Sequence, residues 1–140
     1  MERTENAAEL VVLVYSDDRL VRSAIVTALG VNLAPELPRL KIIECATEPM
    51  LMRRCDEGGL DLVILDGEAA PAGGMGVARQ LKDEIADCPP TLVIVGRAQD
   101  AWLATWSFAD GVVAHPIDPV QLAEVSAALL RGRIATGAAR

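Results

Sequence analysis

Three aspartates stand where they could do chemistry together. Asp17 and Asp18 follow the apolar run 10–15 after a single serine, and Asp66 comes directly after an apolar run that ends at Leu65. Carboxylates gathered at one place repel and disfavour one another's charged forms unless a cation sits among them. A hard divalent cation such as Mg²⁺, which takes oxygen ligands and keeps several waters, is the natural partner. With that metal bound, one carboxylate can attack phosphorus while the ion neutralises the phosphoryl oxygens. Singly the signals are ordinary, because an Asp-Asp pair after a strand is commonly a helix N-cap and a lone Asp at a strand end a turn residue. The delivery of acids from separate segments to one edge is what points to a site.

Other chemistries find less support. Cys45, Cys55 and Cys88 are odd in number, widely spaced and free of any C-x-x-C pair, which reads as buried thiols in a reducing compartment. A single histidine, His115, makes a transition-metal cluster improbable. Gly73-Gly74-Met75-Gly76 lacks the G-x-G-x-x-G spacing and does not directly follow a strand. With no P-loop lysine and no Ser-His-Asp arrangement, a nucleotide-binding protein or doubly wound enzyme is disfavoured.

The elements that must position the acids are legible as alternating units. Five apolar, β-branched runs, at 10–15, 40–45, 60–65, 91–95 and 111–114, are continuous rather than alternating, as parallel strands buried on both faces require. Between them lie helical spacings: Leu20, Ile25, Val26 and Leu29; Met50, Leu51 and Arg54; Val77, Ala78, Leu81 and Ile85; Trp102 and Trp106; Val120, Leu122, Val125 and Leu129. Gly30, Gly58-Gly59, Pro89-Pro90 and Gly111 break the units, residues 31–39 form a long loop with two prolines, and Asp118-Pro119 supplies an N-cap and first-turn proline for the last helix. The expectation is an α/β fold, a single doubly wound domain over residues 1–140 with its core in 9–131 and flexible ends at 1–8 and 132–140. In such sheets ligands bind beyond the carboxyl ends of the strands, where the acids lie.

The chain has 140 residues and a net charge of −7. That charge disfavours nucleic acid and anionic membrane as partners. The local basic candidates, Arg53-Arg54 and the tail with Arg131, Arg133 and Arg140, read as solvated helix ends and a frayed terminus. The apolar runs are too short to cross a bilayer and the polar start does not look like a signal peptide, so a cytoplasmic protein is expected.

Over residues 9–131 the pattern resembles the receiver domains of two-component response regulators, the CheY-like family. Ser16-Asp17-Asp18 is similar to the family's acidic pair, Leu65-Asp66 to its phospho-acceptor strand end, Pro71 (displaced by one position) and Gly74 to the Pro and Gly that follow, and His115-Pro116 to the Lys-Pro after strand five. The resemblance implies a flavodoxin-like five-stranded parallel sheet in the order 2-1-3-4-5. It also implies phosphoryl transfer to Asp66 from the histidine of a kinase or phosphotransfer protein. Mg²⁺ would be held by Asp17 or Asp18, Asp66 and the backbone carbonyl of Glu68. Such a protein is not an enzyme beyond self-catalysed phosphoryl acceptance.

Three positions depart from the family. Gly96, followed by Arg97, stands where Thr or Ser is usual; His115 replaces the lysine; Val112 replaces the aromatic switch residue. Glycine has no hydroxyl to draw inward, although its N–H could approach a phosphoryl oxygen closely. Histidine is only partly protonated near neutral pH, so His115 either substitutes for the lysine in part or merely caps a strand end before Pro116. Arg97 is expected to point into solvent. Trp102 and Trp106, at i and i+4, share a helix face, for which core packing is the default. The family's partner and dimer surface is nevertheless built from helix four, strand five and helix five, where an exposed tryptophan would anchor a contact with an output protein or a second copy. The reading is a stand-alone, atypical receiver, with a phosphorylation-independent interaction or dimerisation module as the alternative.

Overall fold

The computed structural model describes residues 9–69 and 73–137. β1 (Leu10–Tyr15), β2 (Leu40–Cys45), β3 (Leu62–Asp66), β4 (Thr91–Val95) and β5 (Gly111–Ala114) form one parallel sheet in the order β2-β1-β3-β4-β5. Between them run α1 (Arg19–Leu29), α2 (Glu48–Glu57), α3 (Gly74–Glu84) and α4 (Trp102–Trp106), the last preceded by a 3₁₀ turn at Ala98–Asp100; α5 (Pro119–Ala135) closes the chain.

The strand sequences account for this order. β3 and β4 are buried at every residue, while β2, with Lys41 and Glu44 exposed, can only be an edge. Alternate residues of β1 enter opposite layers. Val12 and Val14 join Ile25, Leu29, Leu122 and Leu130 under α1 and α5, whereas Leu13 and Tyr15 join Leu51, Val77 and Leu81 under α2 and α3. Each fully buried leucine in these layers contributes roughly 1.5–3 kcal/mol by leaving water.

The caps fall where the residue types placed them. Asp18 caps α1 by accepting from the Leu20 N–H, and Gly30 ends that helix at φ 64°. Asp118 accepts from the Val120 and Gln121 N–H groups, with Pro119 in the first turn of α5.

Several expectations need correction. The third strand starts at Leu62 rather than Leu60 and ends, as expected, at Asp66. Ile85 lies just past α3. The fourth helix stops at Trp106 rather than reaching Gly111; the chain turns at Phe108, with φ 59°, and Gly111 already belongs to β5. Leu20 and Val120 sit in first turns and are exposed, at 73% and 65%, not on the core-facing stripes. Trp102 and Trp106 are exposed at 67% and 49%, which overturns the core-packing default, since a five-residue helix covers too little of the sheet to bury two indoles. Cys88 is only half-buried, unlike Cys45 and Cys55.

The ordered core also extends past residue 131. Arg133 in α5 donates to the Leu60 carbonyl at 3.0 Å and lies 3.6 Å from the buried carboxylate of Asp61. Asp61 in turn accepts from the Val11 N–H at 2.9 Å, tying the C-terminal helix to the start of β1. Of the other basic candidates, Arg54 pairs with Glu57 and Arg131 with Glu36. That second pairing holds the Glu36 carboxyl below its ordinary range. Pro71 and Arg140 lie outside the described residues.

Candidate functional site

β1 and β3 are neighbours with Tyr15 opposite Leu65, so the next residue of each strand, Ser16 and Asp66, stand side by side at the carboxyl edge. Asp66 is 2% exposed. Its Oδ2 accepts from the Ser16 hydroxyl at 2.8 Å, and its Oδ1 accepts from the Glu68 N–H at 2.9 Å. The His115 Nε2 lies 3.4 Å from Oδ1. Burying a carboxylate is costly unless its oxygens are hydrogen-bonded, and here both are. The Ser16 oxygen also accepts from the Asp18 N–H at 3.0 Å, which locks the turn into α1.

Gly67 continues the chain beside β4, donating its N–H to the Ile94 carbonyl at 2.7 Å. A Cβ at Gly67 would stand 2.6 Å from that carbonyl oxygen, so only glycine allows the backbone this approach. The same close packing delivers Glu68 to the mouth of the pocket.

Asp17, Asp18, Val21, Asp66, Glu68, Gly96 and His115 line one open cavity of about 410 Å³. Every residue expected at the acceptor site therefore borders a single space. Their commitments differ. The Asp18 carboxylate is engaged as the α1 cap, and the His115 N–H is held by the Val95 carbonyl before a cis bond to Pro116. Arg97 forms a fork with Asp100, 3.1 Å on each arm, and faces solvent. Tyr15, packed beneath, has its phenol pKa raised, chiefly by burial and then by the negative charges of Glu48, Asp17 and Asp66.

The donor set is all oxygen and suits a hard cation. Among the described residues no group of three His, Cys, Asp or Glu side chains could hold an ion by itself. An ion here would depend on two carboxylates, a backbone carbonyl and water.

The second expected surface is less unified. Trp102 and Trp106 are exposed on α4, while Val112 is half-buried and packs partly against the core layer under α2 and α3. Arg79 of α3 stacks 4.9 Å from both the Trp106 and Phe108 rings and donates to the Trp106 carbonyl at 2.7 Å.

Sequence reasoning missed three participants. Ser16 read as a spacer before two acids, yet it touches Asp66. Gly67 and the side chain of Glu68 carried no local signal, because their roles come from contacts with β4.

No family model matches the chain. An uncharacterized response regulatory protein of Mycobacterium tuberculosis, found alike in strains CDC 1551 and H37Rv, is 53% identical over 127 residues, covering 91% of this chain and 96% of that protein. Among solved structures, a putative response regulator from Chloroflexus aurantiacus superposes with a TM-score of 0.75 at 16% identity, covering 88% of this chain and 98% of the other. The chemotaxis response regulator CheY4 of Vibrio cholerae gives 0.73 at 14% identity, covering 86% and 98%. Those two likenesses speak for the fold, a CheY-like sheet in the order found here. The Mycobacterium relative, matched along nearly its whole length, shows that this chain belongs to the response regulators, as a receiver domain.

Proposed function

We propose that the chain accepts a phosphoryl group on Asp66 from the phosphohistidine of a kinase or phosphotransfer protein and passes that state on through protein contacts. The observation that carries this reading is the convergence of Asp66, Asp17, Asp18, Glu68 and His115 on one cavity at the carboxyl edge of the sheet. Asp66 would be the nucleophile, held in place by Ser16 and the Glu68 N–H. His115, 3.4 Å away, takes the lysine's place and in its protonated form offers a positive charge to the phosphoryl group.

Mg²⁺ would be held by Asp17 or Asp18, Asp66 and the Glu68 carbonyl; the Asp18 carboxylate also caps α1. When bound, the ion supplies charge neutralisation for the phosphoryl oxygens. Leu20 and Val120, exposed apolar residues in the first turns of α1 and α5, flank this edge on helices that pack together. They are suited to receive the phosphodonor protein. A phosphorylation-independent interaction or dimerisation module is the second reading. Gly96 in place of a hydroxyl favours it.

The test is incubation with Mg²⁺ and phosphoramidate, a small phosphorus–nitrogen donor. A hydroxylamine-labile mass increase in wild type that is lost in Asp66→Asn supports the first reading. An unlabelled wild type supports the second. No helix among the described residues is long and apolar enough to cross a membrane.

A further inference from the structure

Arg22 of α1 reaches back into the turn that carries the acceptor's neighbours. Ser16 stands just past the last paired residue of β1, Tyr15, which lies opposite Cys45 on one side and Leu65 on the other. The Ser16 N–H still donates to the Cys45 carbonyl at 3.2 Å. Its carbonyl turns instead towards α1, where Arg22 Nη1 donates to it at 2.7 Å. The same guanidinium donates from Nε to Glu44 Oε1 of β2 at 3.0 Å. The Arg22 side chain is only 14% exposed, so the cation is held inside the corner between α1 and β2 rather than spread over the surface. A planar guanidinium holds two acceptors in fixed directions at once, which an ammonium on a flexible stem does not.

We propose that Arg22 is a positioning residue of the acceptor pocket, a clamp on the peptide between Ser16 and Asp17. The proposal rests on Asp66 and the acids beside it forming a cation-assisted acceptor pocket. Because a peptide unit is planar, fixing the Ser16 carbonyl fixes the orientation of the whole unit. On one side of it stands the hydroxyl that donates to Asp66 Oδ2 at 2.8 Å. On the other stands Asp17, which borders the same cavity as Asp66. Arg22 is not among the residues lining that cavity, so it acts through the peptide and not on the phosphoryl group. Without the clamp the turn keeps the Asp18 cap but loses the bond that sets this peptide. The pocket must then be ordered each time a cation enters, and that cost weakens binding. Loss of a hydrogen bond given by a cation in a largely buried place corresponds to about tenfold in a binding constant.

The experiment follows Mg²⁺ binding by amide chemical shifts and phosphoramidate labelling by intact mass, in wild type, Arg22→Ala, Arg22→Lys, Glu44→Ala and Asp66→Asn. Each protein is compared at a temperature where its thermal unfolding curve shows it folded. Arg22→Ala should bind Mg²⁺ about tenfold more weakly and, below saturating Mg²⁺, label correspondingly more slowly. Arg22→Lys, which keeps the charge but not the fork, should recover part of that loss. Glu44→Ala should weaken binding by a smaller factor, as loss of a half-exposed ion pair does, and Asp66→Asn should not label. A folded Arg22→Ala with wild-type Mg²⁺ affinity overturns the clamp, whatever its melting temperature, and leaves a merely structural arginine. If Arg22→Ala does not fold, Arg22→Lys decides: weaker Mg²⁺ binding supports the clamp and wild-type affinity overturns it. Mg²⁺ binding without labelling of wild type overturns phosphoryl acceptance and leaves the affinities to decide the clamp. Absence of Mg²⁺ binding to wild type overturns the pocket and the clamp with it.

Discussion

Ser16→Ala removes two hydrogen bonds at once, one given and one received. The hydroxyl donates to Asp66 Oδ2 at 2.8 Å and accepts from the Asp18 N–H at 3.0 Å, and Ser16 is 0% exposed, so water does not readily take its place. A bond to a charged acceptor contributes about 1.5–3 kcal/mol and a neutral one about 0.5–1.5 kcal/mol, so the loss should be about 2–4 kcal/mol. With an unfolding entropy of about 2.1 cal/mol/K per residue over a chain of this length, the midpoint should fall by about 7–14 °C. Urea denaturation with an unchanged slope, alongside thermal unfolding, measures this. A double-mutant cycle with Asp66→Ala isolates the charged bond, since in that background Ser16→Ala should cost only the Asp18 contribution. A loss below about 0.5 kcal/mol, the range of ordinary surface substitutions, would refute the claim that Ser16 holds the acceptor. An equal loss in both backgrounds would refute it too.

Gly67→Ala should destabilise by about 1–3 kcal/mol, as overpacking does, because the new methyl would meet the Ile94 carbonyl oxygen at 2.6 Å; an unchanged urea midpoint would contradict that contact. Burial, with smaller contributions from Cys88 and Cys45, pushes the Cys55 thiol from 9.0 to about 12. The unfolded thiol loses its proton first, so stability from this group is complete below pH 9.0 and is lost as pH rises towards about 12. Cys55→Ala should flatten that part of the stability–pH curve, and an unchanged slope would count against it. Trp102 and Trp106 should both be quenched readily by acrylamide in the native state, and a shielded, blue-shifted emission would place them in an interface or the core.

The fold was readable because continuous apolar runs separated by helical spacings leave few alternatives to a parallel sheet. Asp66 was readable for the same reason, as the first polar residue at the end of such a run. The partner of Asp66 was not. Which residue of the first strand's exit lies beside it depends on register, with Tyr15 opposite Leu65, and that shifts the contact from the aspartate pair onto Ser16. Gly67 and Gly96 are needed because of what approaches from another strand or loop, which no local pattern encodes. The tryptophans misled because an i, i+4 spacing puts them on one face without saying which way that face points. On a helix as short as α4, both indoles stay in solvent.

The central claim is that Asp66 is a working phosphoryl acceptor within a cation-assisted pocket. Its most direct test is a titration of the folded chain with Mg²⁺, then with Mg²⁺ plus beryllofluoride, followed by NMR chemical shifts and thermal unfolding in wild type and Asp66→Asn. The account predicts that Mg²⁺ perturbs resonances around Asp17, Asp66 and Glu68. Beryllofluoride should then produce a second, larger change and a raised melting temperature in wild type alone. Identical spectra with and without beryllofluoride, or the same response in Asp66→Asn, would contradict it.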